Sequence, residues 1–449
     1  MPIDVKAWQR RLDEHTADGS SPAVSVAVLS EGQVQALASG ILNVATGVEA
    51  TTDSVFQIGS VTKAYTATLL LTLVDDGLLD LDEPIITYMP ELQWGDRAAR
   101  TQVTTRHLLN HTSGIDGDHF IDLGRGEDVL ERYVATCGEL AQVLPVGATW
   151  SYCNTGFAVA GRLIEKLTDL NFDQAVAERL FAPLGLSHSC TLPEDALKFR
   201  AAYGHVPSAN GLDLAPVVAT PRTMGSAGGV ISTASEVIDF VRVYLDKGAT
   251  RSGAQLLSAD LITQAWEPQA LVWDPSMAQH WGLGWMITEW GGKKVVGHDG
   301  GTVGQGAFVR VLPDEQIAVV LLGNGPGVGD LMPKIVGGII EELSGVPAPA
   351  PLEPNGESVA EQPWFGTYER VNMRIDVTAR PEGARVEVGI DGLAADSLGT
   401  NSFTGDLAQA ADGTYLTNAI GGWMPLVPFT LEDGTDGVHF AGRAQPRVR

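Results

Sequence analysis

The sequence predicts a mixed fold of the α+β type within the broad α/β class. Its antiparallel sheet draws strands from both ends of the first 345 residues, with a helical region inserted between them and a small antiparallel β-domain after it. Three observations lead to this reading. Short β-branched, apolar runs occur at 23–38 and return only at 294–322. The span 104–300 reads as mainly helical, with Gly- and Pro-rich loops. Beyond residue 363 the pattern changes to alternating apolar and polar residues.

In order, residues 4–17 read as a surface helix. Residues 23–29 and 34–38 look like two strands joined by a turn at Glu31-Gly32. From Ser60 to Leu79 a helical period carries Leu69, Leu70, Leu73 and Val74, and Gly77 is placed to cap its end. Prolines at Pro84 and Pro90 then break regular structure. Late in the chain, 294–296, 307–312 and 317–322 read as strands, and a helix follows at about 331–343. Residues 344–363 are rich in Pro, Ala, Glu and Gly and read as a linker. The expected division is 1–345, a linker at 346–363, and a C-terminal β-domain at 364–449. In that last unit 364–368, 374–377 and 384–388 alternate like half-buried strands.

Composition narrows the function. With 449 residues, 44% of them hydrophobic, the chain can bury a large core. A formal charge of −26 argues against nucleic acid as a partner and works against anionic membranes. No run approaches the ~18 apolar residues of a membrane span. Cys137, Cys153 and Cys190 are odd in number and widely spaced, which fits neither a disulfide framework nor a zinc site. Residues 1–11 are polar and lack the apolar segment of a signal peptide, so a cytoplasmic location is expected. There is no P-loop, no G-x-G-x-x-G and no G-x-S-x-G elbow. NTPase, Rossmann and α/β-hydrolase readings therefore fall away. No cofactor and no metal are expected.

Three short segments carry chemistry. In Phe56-Gln57-Ile58-Gly59-Ser60-Val61-Thr62-Lys63 a strand-like approach meets a glycine and then a helix. Positions i and i+3 of a helix are neighbours, so an ammonium stands beside a hydroxyl and can turn it into a nucleophile. In Trp150-Ser151-Tyr152-Cys153-Asn154, Tyr152 and Asn154 share one side of an extended turn; a phenol can relay a proton and a carboxamide can hold a substrate amide. In Gly297-His298-Asp299-Gly300-Gly301, straight after an apolar strand, the glycines let a substrate lie close to backbone N–H donors.

Ser60-x-x-Lys63, Tyr152-x-Asn154 and His298-x-Gly300, in that order, resemble the penicillin-recognising serine hydrolases. The likeness is greatest to the class C β-lactamase group with its esterases, D-aminopeptidases and DD-carboxypeptidases. It extends over about residues 5–345 and includes Leu108-Leu109-Asn110-His111-Thr112-Ser113-Gly114-Ile115, Ala227-Gly228-Gly229-Val230-Ile231-Ser232-Thr233 and Trp281-Gly282-Leu283-Gly284-Trp285. The resemblance implies a β-lactamase/transpeptidase-like domain with Ser60 as the acylated nucleophile. Lys63 and Tyr152 would share the role of general base, with either one taking the proton. Asn154, His298 and Gly300 would bind substrate, and the backbone N–H groups of Ser60 and Gly301 would form the oxyanion hole. The implied function is a serine hydrolase of the carboxylesterase, D-aminopeptidase or β-lactamase type, whose implied partner is a small-molecule ester, amide or peptide. The alternatives are a transacylase passing its acyl group to an amine or alcohol, and a penicillin-binding or sensing module.

The third motif departs from the Lys-Thr-Gly of the β-lactamases. His298 replaces a fixed cation suited to a substrate carboxylate, and Asp299 adds a negative charge beside it. This moves β-lactams to the end of the expected substrates.

Each segment also has a plainer reading. Ser60 alone would be a helix cap, Tyr152 a packed ring and His298 a loop histidine. His107 and His111 have the i, i+4 spacing of a metal pair, but Leu108 stands where a zinc protease has its Glu, so capping or core hydrogen bonds are expected. Cys153, in the middle of an i/i+2 pair, should face away from the cleft. Trp150, Trp273, Trp281 and Trp285 either line a substrate pocket or anchor the core.

Overall fold

The computed structural model describes residues 3–448 apart from 18, 20, 210 and 392–399. Its centre is an antiparallel sheet that brings the two ends of residues 1–345 together. The long strand Ala23–Ser30 lies between Gln33–Asn43 and Ile317–Gly323, and Gln305–Leu312 and Lys293–Thr302 continue the sheet. The pairing Val26↔Leu321 in one register and Val26↔Leu37 in the other closes N-terminal strands onto C-terminal ones. Every residue of Ala23–Ser30 is buried, because the sheet is covered on both faces. Val24, Val26 and Val28 point to Trp8, Leu12 and Ile335–Ile340, while Ala23 and Ala27 point to the main core.

The helix Thr62–Asp75 runs through that core. Thr62 to Leu73 are all buried, so this helix is enclosed on every side instead of burying one stripe, and it carries Lys63 and its threonines into the core with it. It begins two residues later than the sequence suggests. Ser60 sits in the preceding 3-10 turn Gly59–Val61, and no side chain caps the helix, which leaves the Ser60 hydroxyl free for other work.

Two expectations need correction. The span 104–300 is not mainly helical. It contains the hairpin His205–Ser208/Gly211–Leu214 and the strands Ala270–Leu271, His280–Trp281 and Met286–Trp290, the last three extending the central sheet. These strands are two to five residues long, too short to show a period of two. The segment read as a linker also holds a strand: Pro354–Ser358 pairs with Ser402–Ala410.

After that segment, strands from Gly366–Arg370 to Arg443–Pro446 form a second antiparallel sheet in simple chain order. Its ends meet, with Tyr368 bridging to Arg447 and the Val448 N–H donating to Thr367 O at 2.8 Å. The sheet thus curls into a near-barrel around Ile375, Val386, Val388, Leu426, Val438 and Phe440. The hairpin Asp436–Phe440/Arg443–Pro446 turns at Ala441-Gly442, and that tip reaches Tyr152 in the first unit.

Candidate active site

The Gly59–Val61 turn that carries Ser60 is tied down from two sides. The Ile58 N–H donates to Val230 O at 3.0 Å, the Val230 N–H donates to Thr62 Oγ1 at 3.0 Å, and Phe56–Gln57 pairs with Ile231–Ser232. On the other side lies the strand Lys293–Thr302. A Cβ on Gly59 (φ +50°) would fall 2.6 Å from the Gly301 N, and one on Gly300 would fall 2.0 Å from Ile58 O and 3.0 Å from the Ser60 N. Only glycines allow this approach, which brings the strand that carries Gly301 against the turn that carries Ser60.

Lys63 Nζ lies 3.1 Å from Ser60 Oγ and donates to Ala227 O at 2.8 Å. The side chain is fully buried. Burial, reinforced by the Arg443 guanidinium, lowers the Lys63 pKa well below the ordinary lysine range. Tyr152 is 7% exposed, and its ring centre is 4.9 Å from Lys63 Nζ. Burial raises the phenol pKa, against an opposing hydrogen bond with Ser60. Both directions favour the uncharged pair, a neutral amine beside a protonated phenol.

Three successive N–H groups fix Tyr152. Ser151 donates to His111 O (2.9 Å), Tyr152 to Gly442 O of the barrel tip (3.0 Å), and Cys153 to His111 Nδ1 (3.0 Å). The His111 ring packs against the Tyr152 ring at 4.3 Å between centres. His107 Nδ1 accepts from the Thr104 N–H at 3.2 Å in a capping box, so the i, i+4 histidines do separate jobs. Cys153 Sγ accepts from the Gly156 N–H at 3.2 Å, away from Ser60, and burial pushes the thiol up to about 11. Among the described residues no three His, Cys, Asp or Glu side chains gather as metal ligands, and no helix is long and apolar enough to cross a membrane.

Asn154 opens the helix Asn154–Thr168, and its Nδ2 donates to Asp118 Oδ1 at 3.2 Å. His298 is 1% exposed, under Trp281 and Tyr152. Its Nδ1 donates to Asp299 O at 2.7 Å, and burial with nearby Lys63 lowers its pKa to about 3. Asp299 is occupied by Arg310, with Nη2 donating to Oδ2 at 3.0 Å. The third motif therefore presents a neutral imidazole and a compensated carboxylate, with no cation. Of the tryptophans, Trp150, Trp281 and Trp285 are buried, and Trp273 is exposed, stacked on His439.

A family described as Beta-lactamase matches residues 8–335. The chain belongs to the beta-lactamase family. Within it, the chain is 41% identical over 380 residues to penicillin-binding protein 4 of Amycolatopsis lactamdurans, covering 82% of this chain and 99% of the relative. It is 26% identical to the D-aminopeptidase of Brucella anthropi, over 81% of this chain and 66% of that one. The crystal structure of SurE superposes with a TM-score of 0.79 at 25% identity over 99% of both chains, barrel included. SurE has also been solved with D-Leu.

Sequence reasoning missed the residues that the barrel supplies. Arg443 lies 4.8 Å over the Tyr152 ring and donates to Asp118 from Nε and Nη2, both at 2.9 Å. Arg370 reaches the same carboxylate at 2.8 Å. Burial would raise the Asp118 pKa, but the two guanidiniums and Asn154 hold it well below the usual carboxylate range. No signal in the sequence marks Arg443. It is a lone arginine whose place depends on closure of the barrel.

Proposed function

We propose that the protein is a serine hydrolase that forms an acyl-enzyme at Ser60. The observation that carries this is the 3.1 Å approach of a buried, neutral-leaning Lys63 amine to the Ser60 hydroxyl. In the reaction Ser60 Oγ bonds to the substrate's acyl carbon as its proton passes to Lys63 Nζ. The Ser60 and Gly301 N–H groups receive the developing oxyanion. The intermediate then expels its alcohol or amine, which takes a proton from Tyr152, and Lys63 returns one to the phenol. Water repeats the sequence to release the acid and restore Ser60.

Carboxylic esters and D-amino-acid amides or peptides are the proposed donors. The match to SurE, solved with D-Leu, and to a D-aminopeptidase supports the second class. β-Lactams fit less well, because neutral His298 and compensated Asp299 offer a substrate carboxylate no cation. Release to an amine is a second reading, favoured by the barrel tip that covers Tyr152. The barrel is proposed to bound the cleft and limit substrate size.

Intact-mass measurement tests all of this. With a p-nitrophenyl ester of a D-amino acid, Ser60 should gain the acyl mass, lose it in water, and lose it faster to hydroxylamine if transfer is the natural fate. No mass gain from any activated acyl donor ends the proposal. A gain that never decays would turn it into a penicillin-binding or sensing module.

A further inference from the structure

We propose that Arg443, delivered by the barrel hairpin, is a positioning residue for the Ser60–Lys63–Tyr152 group: a second cation held over the phenol that keeps the Lys63 amine in its neutral, proton-accepting form. Its use in catalysis rests on the acyl-enzyme reading above, whereas its effect on Lys63 does not. The hairpin places this side chain through its two neighbours. Gly442 O accepts from the Tyr152 N–H at 3.0 Å, and the Ala444 N–H donates to Ser151 Oγ at 3.2 Å. Arg443 therefore lies across the Tyr152 segment, anchored by the residue before it and the residue after it.

The guanidinium is itself held in one orientation. Nε and Nη2 donate to the two oxygens of Asp118, both at 2.9 Å, the bidentate form that fixes an arginine in plane. Asp118 also binds Arg370 at 2.8 Å, so its charge is shared and does not cancel Arg443 alone. Packing does not call for a charge here, because apolar residues of similar volume often replace a whole buried ion pair without loss of stability. Among the described residues, Lys63 and Arg443 are the two cations over the Tyr152 ring. The other titratable groups that face it bring no positive charge. Burial drives His111 and His298 neutral, the Cys153 thiol is protonated, and Asp299 is occupied by Arg310.

Distance sets the size of the effect. Lys63 Nζ is 4.9 Å and the guanidinium carbon 4.8 Å from the same ring centre, so the cations stand at most ~10 Å apart. At an effective dielectric of ~20, like charges at that separation lower a titration midpoint by about one pH unit. Arg443 stands second, after burial, among the causes that lower the Lys63 pKa. The same charge serves the step in which Tyr152 gives its proton to the leaving alcohol or amine. The phenolate left behind faces a fixed cation until Lys63 returns a proton. The third motif brings no cation to this site, and the barrel does.

The ε-carbon signals of isotopically labelled lysine are followed against pH by NMR in the full chain, with Lys63→Ala identifying the Lys63 signal. Its midpoint should lie below those of the other lysines, rise by about one pH unit or more in Arg443→Met, and stay near the parent's in Arg443→Lys. Arg370→Met, which loosens Asp118 but keeps the cation over Tyr152, should leave it in place. A midpoint unchanged in Arg443→Met overturns the proposal. So does an equal rise in Arg443→Lys or Arg370→Met, which would mark loss of docking instead of loss of charge. If Arg443→Met fails to fold, Arg443→Gln replaces it, and a parent Lys63 that titrates with the other lysines overturns the proposal by itself. Acylation of Ser60 is scored separately by mass. A chain whose Lys63 answers to Arg443 but never acylates loses the proposed function and keeps the role of Arg443 on Lys63. Acylation with a Lys63 indifferent to Arg443 removes only that role.

Discussion

Replacing Gly300 with alanine tests whether the strand edge and the nucleophile turn form one unit. The new Cβ would stand 2.0 Å from Ile58 O and 3.0 Å from the Ser60 N, whereas ordinary contact begins at 3.4 Å. Both neighbours are backbone, so no side chain can swing aside. The turn and the strand must part by more than ~1 Å, and a misplacement of that size costs about 10²-fold in rate. If the shift also takes one oxyanion donor out of reach, the loss grows to about 10³-fold. The Gly301→Ala variant is the control, because its Cβ meets nothing within 4 Å and its N–H is kept. The assay is the p-nitrophenolate burst with mass gain at Ser60, with melting temperatures taken on both variants. The reasoning fails if Gly300→Ala acylates like the parent, or if the two alanines cost the same.

Other perturbations separate the remaining roles. Ser60→Ala should gain no mass from any donor, and Lys63→Ala and Tyr152→Phe should each lower acylation by about 10²–10⁴-fold. Because Lys63 must be neutral to accept a proton, kcat/KM should rise with pH on an acid limb well below the ordinary lysine pKa of ~10.4; a limb near that value contradicts the assignment. His298 and His439, both near 3 in the folded chain and ~6.5 unfolded, bind fewer protons folded than unfolded between those values. Stability should therefore fall as pH drops from 6.5 toward 3, and His439→Asn should flatten that dependence in urea melts. Arg443→Met removes both bonds to Asp118, which keeps Arg370 and Asn154, so a destabilisation of about 2–3 kcal/mol is expected from urea unfolding, at or below the low end for a broken buried pair.

The frame of the catalytic unit was readable because its strands carry their own signal. Residues 23–29 and 317–322 are β-branched and apolar enough to declare themselves, and they pair as the two ends of one sheet. The motif segments were readable because Ser60 and Lys63 are local neighbours on one turn. What could not be read depends on contacts distant in the chain. The strand Met286–Trp290 forms against Lys293–Thr302, and His280–Trp281 forms in turn against Met286–Trp290. The neutrality of His298 comes from Trp281, Tyr152 and Lys63 closing around it, not from its own flanking residues. Arg443 reaches Tyr152 only after a separate sheet has curled and docked.

The carbonyl of Gly442 on the Tyr152 amide has a consequence for biosynthesis. During translation, Ser60 and Lys63 leave the ribosome before the barrel hairpin does, so the Tyr152 amide lacks its Gly442 partner until that hairpin has emerged and docked. Under the proposed function, a chain that stops before Gly442 is expected to hold Ser60 beside Lys63 without a fixed Tyr152, and to react poorly with acyl donors until the Asp436–Phe440/Arg443–Pro446 hairpin is in place.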